Sequence, residues 1–148
     1  MIKVQKNDFN LSKEINVLTS QNNNIGGIAS FVGIVRGGKN NTLKSMTLEH
    51  YPGMTEKMLE KIESEAQNRW KLKDSLIIHR YGKLLPGEQI VLVATASEHR
   101  NNAIESCEFL IDWLKTKAPF WKLEETMSGK RWVSEKNSDL EAATKWNN

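Results

Sequence analysis

The sequence predicts a mixed helix-and-sheet domain, on three observations. Apolar residues recur at helical spacing over 54–70 and again from about Ser97 to Lys117. Short strand-like runs occupy 25–36, 43–51, 75–81 and 89–96, the first and last of them rich in β-branched residues. Gly- and Pro-containing breaks separate these stretches, and none is long enough to divide the chain. The 148 residues are therefore read as one unit, 1–148, with a variable N-terminal segment over 1–24 and a C-terminal tail over 134–148.

Residues 11–18 suggest a short helix capped by Asn10 or Ser12, and Gln21-Asn22-Asn23-Asn24 a polar loop. Ile25 to Arg36 reads as a strand. Gly26, Gly27 and Gly33 interrupt it and imply a bulge or a close backbone approach. The stretch Gly33 to Lys39 has the outline of a phosphate-binding G-x-x-x-x-G-K loop. Asn40 stands where such a loop needs Ser or Thr, and a strand follows instead of a helix, so that reading fails. A β-hairpin, with 43–51 returning antiparallel to 25–36, is expected in its place. Arg36, at the mouth of the Gly-rich turn, is either a solvated strand end or an anion contact.

After Pro52-Gly53, the residues Met54, Met58, Leu59, Ile62, Ala66 and Trp70 form a helical stripe expected to be core. Residues 75–81 form a strand that ends in His79-Arg80-Tyr81-Gly82. That motif could meet an anion, although half-exposed strand residues are the plainer reading. Residues 84–88 read as a turn. Gln89–Ala96 is apolar at nearly every position, as in a central strand covered on both faces. The helix that follows buries Ala103, Ile104, Cys107, Leu110, Ile111 and Leu114, and Ser97 or a polar neighbour caps it. His99 and Arg100 lie at its N-terminus, where free N–H groups and the dipole favour an anion. A capping or surface role fits them equally well. Residues 128–130 suggest a turn, Arg131-Trp132-Val133 a short strand, and 139–146 a short surface helix.

Ten residues from Trp113 to Lys122 concentrate the chemistry. Pro119 cannot continue a helix and pushes Ala118 toward extended backbone. Lys115 is left on the helical side of the break and Lys122 on the extended side. Alternation puts Phe120 and Lys122 on one face and Trp121 on the other. A cationic cleft with aromatic walls follows. The plainer alternative is a lysine that complements the helix dipole beside core aromatics. His99 and Lys115 are 16 positions apart, about 24 Å on one straight helix. One small substrate cannot touch both within one chain, so either they serve different sites or two chains meet.

Composition narrows the function. A net charge of +3 suits an anionic small substrate or an acidic partner and is weak for a nucleic-acid binder. The single cysteine, Cys107, excludes an internal disulfide and falls inside an apolar helical stripe, as an inert thiol would. No signal-peptide core or membrane-length apolar run is present, so a cytoplasmic protein is expected. His50, His79, His99 and Cys107 lack metal-ligand spacing, so no metal and no cofactor are expected.

Six motifs in one order carry a resemblance: Phe31-Val32-Gly33-Ile34-Val35-Arg36, Leu48-Glu49-His50-Tyr51-Pro52-Gly53-Met54, His79-Arg80-Tyr81-Gly82, Pro86-Gly87-Glu88, His99-Arg100 and the run Leu114 to Lys122. Together, over about Gly26 to Trp132, the chain resembles the large, catalytic subunit of molybdopterin synthase. Residues 1–24 and the 37–41 loop lie outside the resemblance.

The resemblance implies an α+β fold of the α/β-hammerhead kind, with an antiparallel sheet and an added small β subdomain. It implies a homodimer at the centre of a heterotetramer, with a small ubiquitin-like sulfur-carrier subunit docked at each outer end. The carrier ends in Gly-Gly with a terminal thiocarboxylate. The implied reaction converts cyclic pyranopterin monophosphate to molybdopterin by installing two sulfurs as a dithiolene, using two charged carriers in turn. By position, Lys115 and Lys122 match the catalytic lysines. Ile34, Val35, Arg36, His99, Arg100, Leu123 and Glu124 match substrate-binding positions, with His99 and Arg100 reaching in from the opposite protomer. Lys115 is then expected to move protons while Lys122 holds negative charge. Neither nucleic acid nor membrane is an implied partner. A non-catalytic scaffold for a ubiquitin-like tail is the main rival. A small nucleic-acid binder, suggested by five tryptophans and a pI near 9.0, is the other.

Overall fold

Sheet pairing decides where the candidate site lies. In the structure, a computed structural model, residues 1–133 and 137–147 are described. Of the tail over 134–148, positions 134–136 and 148 thus lie outside the described residues. The elements in order are β1 (Ile2–Gln5), α1 (Leu11–Thr19), β2 (Gly27–Ile34), a 3₁₀ turn (Lys39–Asn41), β3 (Leu43–His50), α2 (Met54–Trp70), β4 (Asp74–Arg80), β5 (Gly82–Leu84), β6 (Gln89–Ser97), α3 (Arg100–Thr116), β7 (Phe120–Thr126), β8 (Gly129–Trp132) and α4 (Asn137–Thr144).

Two four-stranded sheets result. The first has the order β1-β4-β6-β2, antiparallel except for the β1–β4 pair. The second, with the order β5-β3-β7-β8, is antiparallel throughout. The fold class is therefore the α+β one expected, with antiparallel sheets and a second, smaller β layer.

In the first sheet, alternation sends Ile77, Val91 and Val93 toward α2 and α3, where Leu59, Ala66, Cys107 and Leu110 meet them. Leu76, Ile78, Leu92 and Ala94 point the other way, onto Phe9 and Leu18 beside α1. Strand β6 is thus buried on both faces, as its unbroken apolar run required. Asn10 caps α1 by accepting from the Lys13 N–H at 3.0 Å. Helix α2 starts just after Pro52-Gly53, with Gly53 at φ 86° and the Glu56 carboxylate accepting from its N–H.

Several expectations need correction. Strand β3 does not return along β2; it pairs with β5 and β7 in the second sheet. The connection is no tight hairpin turn. Gly38, Asn40 and Asn41 all take positive φ, and Leu43 N donates back to Gly37 O at 2.9 Å. This compact loop turns the chain away from β2, which stays the edge strand of the first sheet. His79 and Arg80 are buried rather than half-exposed. The Arg80 guanidinium donates to Lys6 O and Gln89 O and faces Asp8 and Glu88, so it clamps loops and is not a free anion site. Met54 and Ile104 were placed in buried stripes, but both are more than half exposed. Each lies near a helix N-terminus. Helix α3 begins with His99 as its N-cap residue and without a side-chain cap, so Ser97 does not fill that role. Strand β1 lies where a polar N-terminus was expected, and β5 falls between the expected strand and the expected turn, sharing only Leu84 with the turn.

Candidate active site

The C-terminus of α3 and the start of β7 form the site's centre. Lys117 N and Ala118 N both donate to Trp113 O, at 2.8 and 3.3 Å, and this closes the helix. Pro119 then diverts the chain, and Phe120 N donates to Ala118 O at 2.8 Å across the bend. The bend is held from α2: the fully buried Thr55 hydroxyl donates to Pro119 O at 3.3 Å and accepts from Tyr51 N at 3.0 Å. Pairing with β3 sets Phe120 opposite His50 and Lys122 opposite Leu48.

A cleft of about 1200 Å³ opens between this bend and the end of β2. Lys115 and Lys122 line it from the two sides of Pro119, and Phe120 and Trp121 form its aromatic wall. Ile34, Val35 and Arg36 line the facing side. Val35 is buried and fixed by its own backbone, through Val35 N to Glu88 O at 2.9 Å and Gly87 N to Val35 O at 2.8 Å. Ile34 and Arg36, on either side, project outward. The pairing of β2 with β6 shifts between Gly33 and Ile34, the bulge that the glycine suggested. A Cβ on Gly33 would lie 2.7 Å from Val91 Cγ1.

Glu124 also borders the cleft and faces Arg131 at 3.9 Å. Leu123 is not among the residues that line it, although Trp121, two positions before it on the same face of β7, is. His99 and Arg100 are at the far end of α3 and do not border this cleft. Their end of the helix lies close against the start of β2. A Cβ on Gly26 would be 2.0 Å from Glu98 O, so this is the close approach that the glycine-rich stretch foretold.

The cleft contains residues that the motifs did not single out as site groups. Lys39 and Lys117 add positive charge at its border, and Asp139 adds a carboxylate. His79 also lines it, stacked on Phe120 with ring centroids 3.6 Å apart. Burial pushes the His79 pKa down to about 3; the hydrogen bond to Arg80 O opposes this, and the charges of Lys122, Lys115 and His50 add to it. Period two could have found this residue, because it shares its face of β4 with Ile77. Cys107 is buried in the core and burial raises its pKa to about 12, so it is inert. Among the described residues, no cluster of three or more His, Cys, Asp or Glu is placed to hold a metal, and no helix is long and apolar enough to cross a membrane.

An aromatic cleft with two lysines flanking a proline bend suits anions brought close together. Residues 4–117 match the family described as MoaE protein. The chain belongs to the MoaE family. A molybdopterin synthase catalytic subunit from Ralstonia nicotianae is 51% identical over 146 residues, which cover 98% of this chain and 83% of that protein. A MoaE protein of molybdopterin biosynthesis from Burkholderia ambifaria superposes with a TM-score of 0.86 at 50% identity, over 100% of this chain and 98% of that one. The crystal structure of molybdopterin synthase from Staphylococcus aureus superposes with a TM-score of 0.81 at 28% identity, over 89% and 96% of the two chains. The MoaE-family assignment thus rests on the match over residues 4–117 and on relatives about half identical along nearly the whole chain.

Proposed function

We propose that the cleft at the Pro119 bend is where this MoaE-family chain acts as the catalytic subunit of molybdopterin synthase. A small ubiquitin-like carrier subunit inserts its thiocarboxylated Gly-Gly tail. Its sulfur passes to cyclic pyranopterin monophosphate, and two such transfers build the dithiolene. The whole chain, 1–148, works as one unit in the cytoplasm, where its one thiol stays reduced.

The observation that carries this reading is that Lys115 and Lys122 line one cleft together with Arg36. The phosphate ester and the sulfur donor are both anions. Fixed cations offset their repulsion in a partly dehydrated site. Lys115 moves protons while sulfur attacks and the cyclic phosphate opens, and Lys122 holds the thiocarboxylate. Ile34, Val35 and Glu124 shape the pterin side, and Leu123 contributes through its backbone. His99 and Arg100 reach the substrate from a second copy of the chain, at the centre of a heterotetramer. The 17-residue length of α3 supports this, since one protomer keeps its two basic groups at opposite helix ends.

The test is a sulfur-transfer assay with thiocarboxylated carrier and cyclic pyranopterin monophosphate. Lys115→Ala should lower turnover by about 100-fold or more while the carrier still binds. Near-normal turnover would support a scaffold that merely docks the carrier tail.

A further inference from the structure

His79 is a buried polar group of the cleft that sulfur transfer leaves without a role. It is 6% exposed, yet it borders the cleft. Its ring lies nearly parallel to that of Phe120, with 13° between the planes. Nδ1 is 2.8 Å from the carbonyl oxygen of Arg80. A carbonyl oxygen only accepts, so Nδ1 carries the proton of the neutral ring and Nε2 keeps a lone pair. No backbone or side-chain group among the described residues donates to Nε2. Burial keeps the ring neutral, as the depressed pKa of about 3 records. The lone pair therefore persists at every pH at which the protein works.

The other groups around it select anions. Lys115, Lys122 and Arg36 are donors only, and none of the anions they attract can satisfy a lone pair. Nε2 is not among the buried side-chain atoms that lack a partner, so it opens onto the cleft, and a ligand that covers it leaves a lone pair that only a donor satisfies. What enters beside Nε2 must therefore bring an N–H. Both proposed ligands do. The carrier tail is an extended peptide whose amide N–H groups lose water as it enters, and the pterin has N–H groups on its rings.

We infer that Nε2 of His79 is a ligand-binding group of this cleft, accepting a hydrogen bond from an N–H of the carrier tail or of the pterin. This rests on the sulfur-transfer reading of the cleft. His79 takes no part in the chemistry; it fixes the ligand's depth relative to Lys115 and Lys122.

Two substitutions isolate the lone pair. In His79→Asn, the amide can still donate toward Arg80 O, but nothing stands in place of Nε2. In His79→Gln, an amide oxygen reaches that place. Calorimetric titration would give the Kd of the full-length carrier in its carboxylate form, and separately that of cyclic pyranopterin monophosphate, for wild type and both variants. Thermal melting of each variant confirms that it is folded. The Asn variant should bind one of the two ligands about tenfold more weakly, and the Gln variant should recover to within about threefold of wild type. A change confined to the carrier assigns the bond to a tail amide; one confined to the pterin assigns it to a ring N–H. An Asn variant that binds both ligands as wild type does would overturn the inference. So would Asn and Gln variants that weaken both ligands alike. The sulfur-transfer reading is judged separately, by whether the wild type forms molybdopterin at all.

Discussion

Lys115 and Lys122 are seven positions apart in sequence, and a single imino acid brings them to one cleft. A continuous helix would have stacked them on one face two turns apart, looking the same way. With Pro119 between them, one lysine ends a helix and the other starts a strand. His79 behind them shows how strongly the site depends on its surroundings. Its pKa falls from 6.5 to about 3 on folding. The unfolded chain therefore binds a proton below about pH 6.5 that the folded chain refuses until near pH 3. Stability must then decrease as pH falls through that window, by at most about 1.4 kcal/mol per pH unit from this residue. Urea melts of wild type and His79→Gln between pH 4 and pH 7 should show a steeper acid loss for wild type. Equal slopes would mean that His79 titrates normally.

At the scale of elements, the site depends on two supports outside the motifs. The Thr55 hydroxyl ties α2 to Pro119 O. Thr55→Val removes that bond and leaves Tyr51 N without its acceptor, at a cost of about 1–3 kcal/mol. Chemical denaturation should show this loss together with reduced sulfur transfer. A fall in stability with transfer unchanged would mean that the bend holds itself. Gly26 admits α3 to the start of β2. Gly26→Ala would set a methyl 2.0 Å from Glu98 O and should cost about 1–3 kcal/mol, read in the same denaturation.

These supports also mark how far the sequence could be read. The bounds of α1 and α2 were legible in Asn10 and in Pro52-Gly53, because caps and breakers are local. The burial of β6 on both faces was legible in its unbroken apolar run. The partner of β3 was not, because strand pairing is decided by distant residues: β3 pairs with β7, which lies beyond α2, β4, β6 and α3 in the chain. Strands β1 and β5, of four and three residues, are too short for a period to show. Within the site, the lysine pair was legible from Pro119. The place of Leu123 outside the cleft was not legible, since alternation puts it on the face of Trp121, which does line the cleft. Thr55 carried no signal, since a threonine in a helix's first turn reads as ordinary.

For the whole molecule, the distance along α3 sets the arrangement. With Lys115 at one end and His99-Arg100 at the other, a second copy must supply the distant pair if all act on one substrate. Mixing Lys115→Ala with Arg100→Ala chains tests this. Random hybrids of two inactive parents should regain about a quarter of the wild-type sites, because each mixed dimer keeps one intact site. Sulfur-transfer activity in the mixture that merely averages the two parents would place each site within a single chain. The central claim concerns the lysines at the bend, and a single turnover addresses it most directly. Thiocarboxylated carrier, cyclic pyranopterin monophosphate and excess Lys115→Ala/Lys122→Ala protein would be mixed, and loss of sulfur from the carrier followed by mass spectrometry. The account predicts a stable complex in which the thiocarboxylate persists at least about 100 times longer than with wild type. Sulfur leaving at the wild-type rate would contradict it.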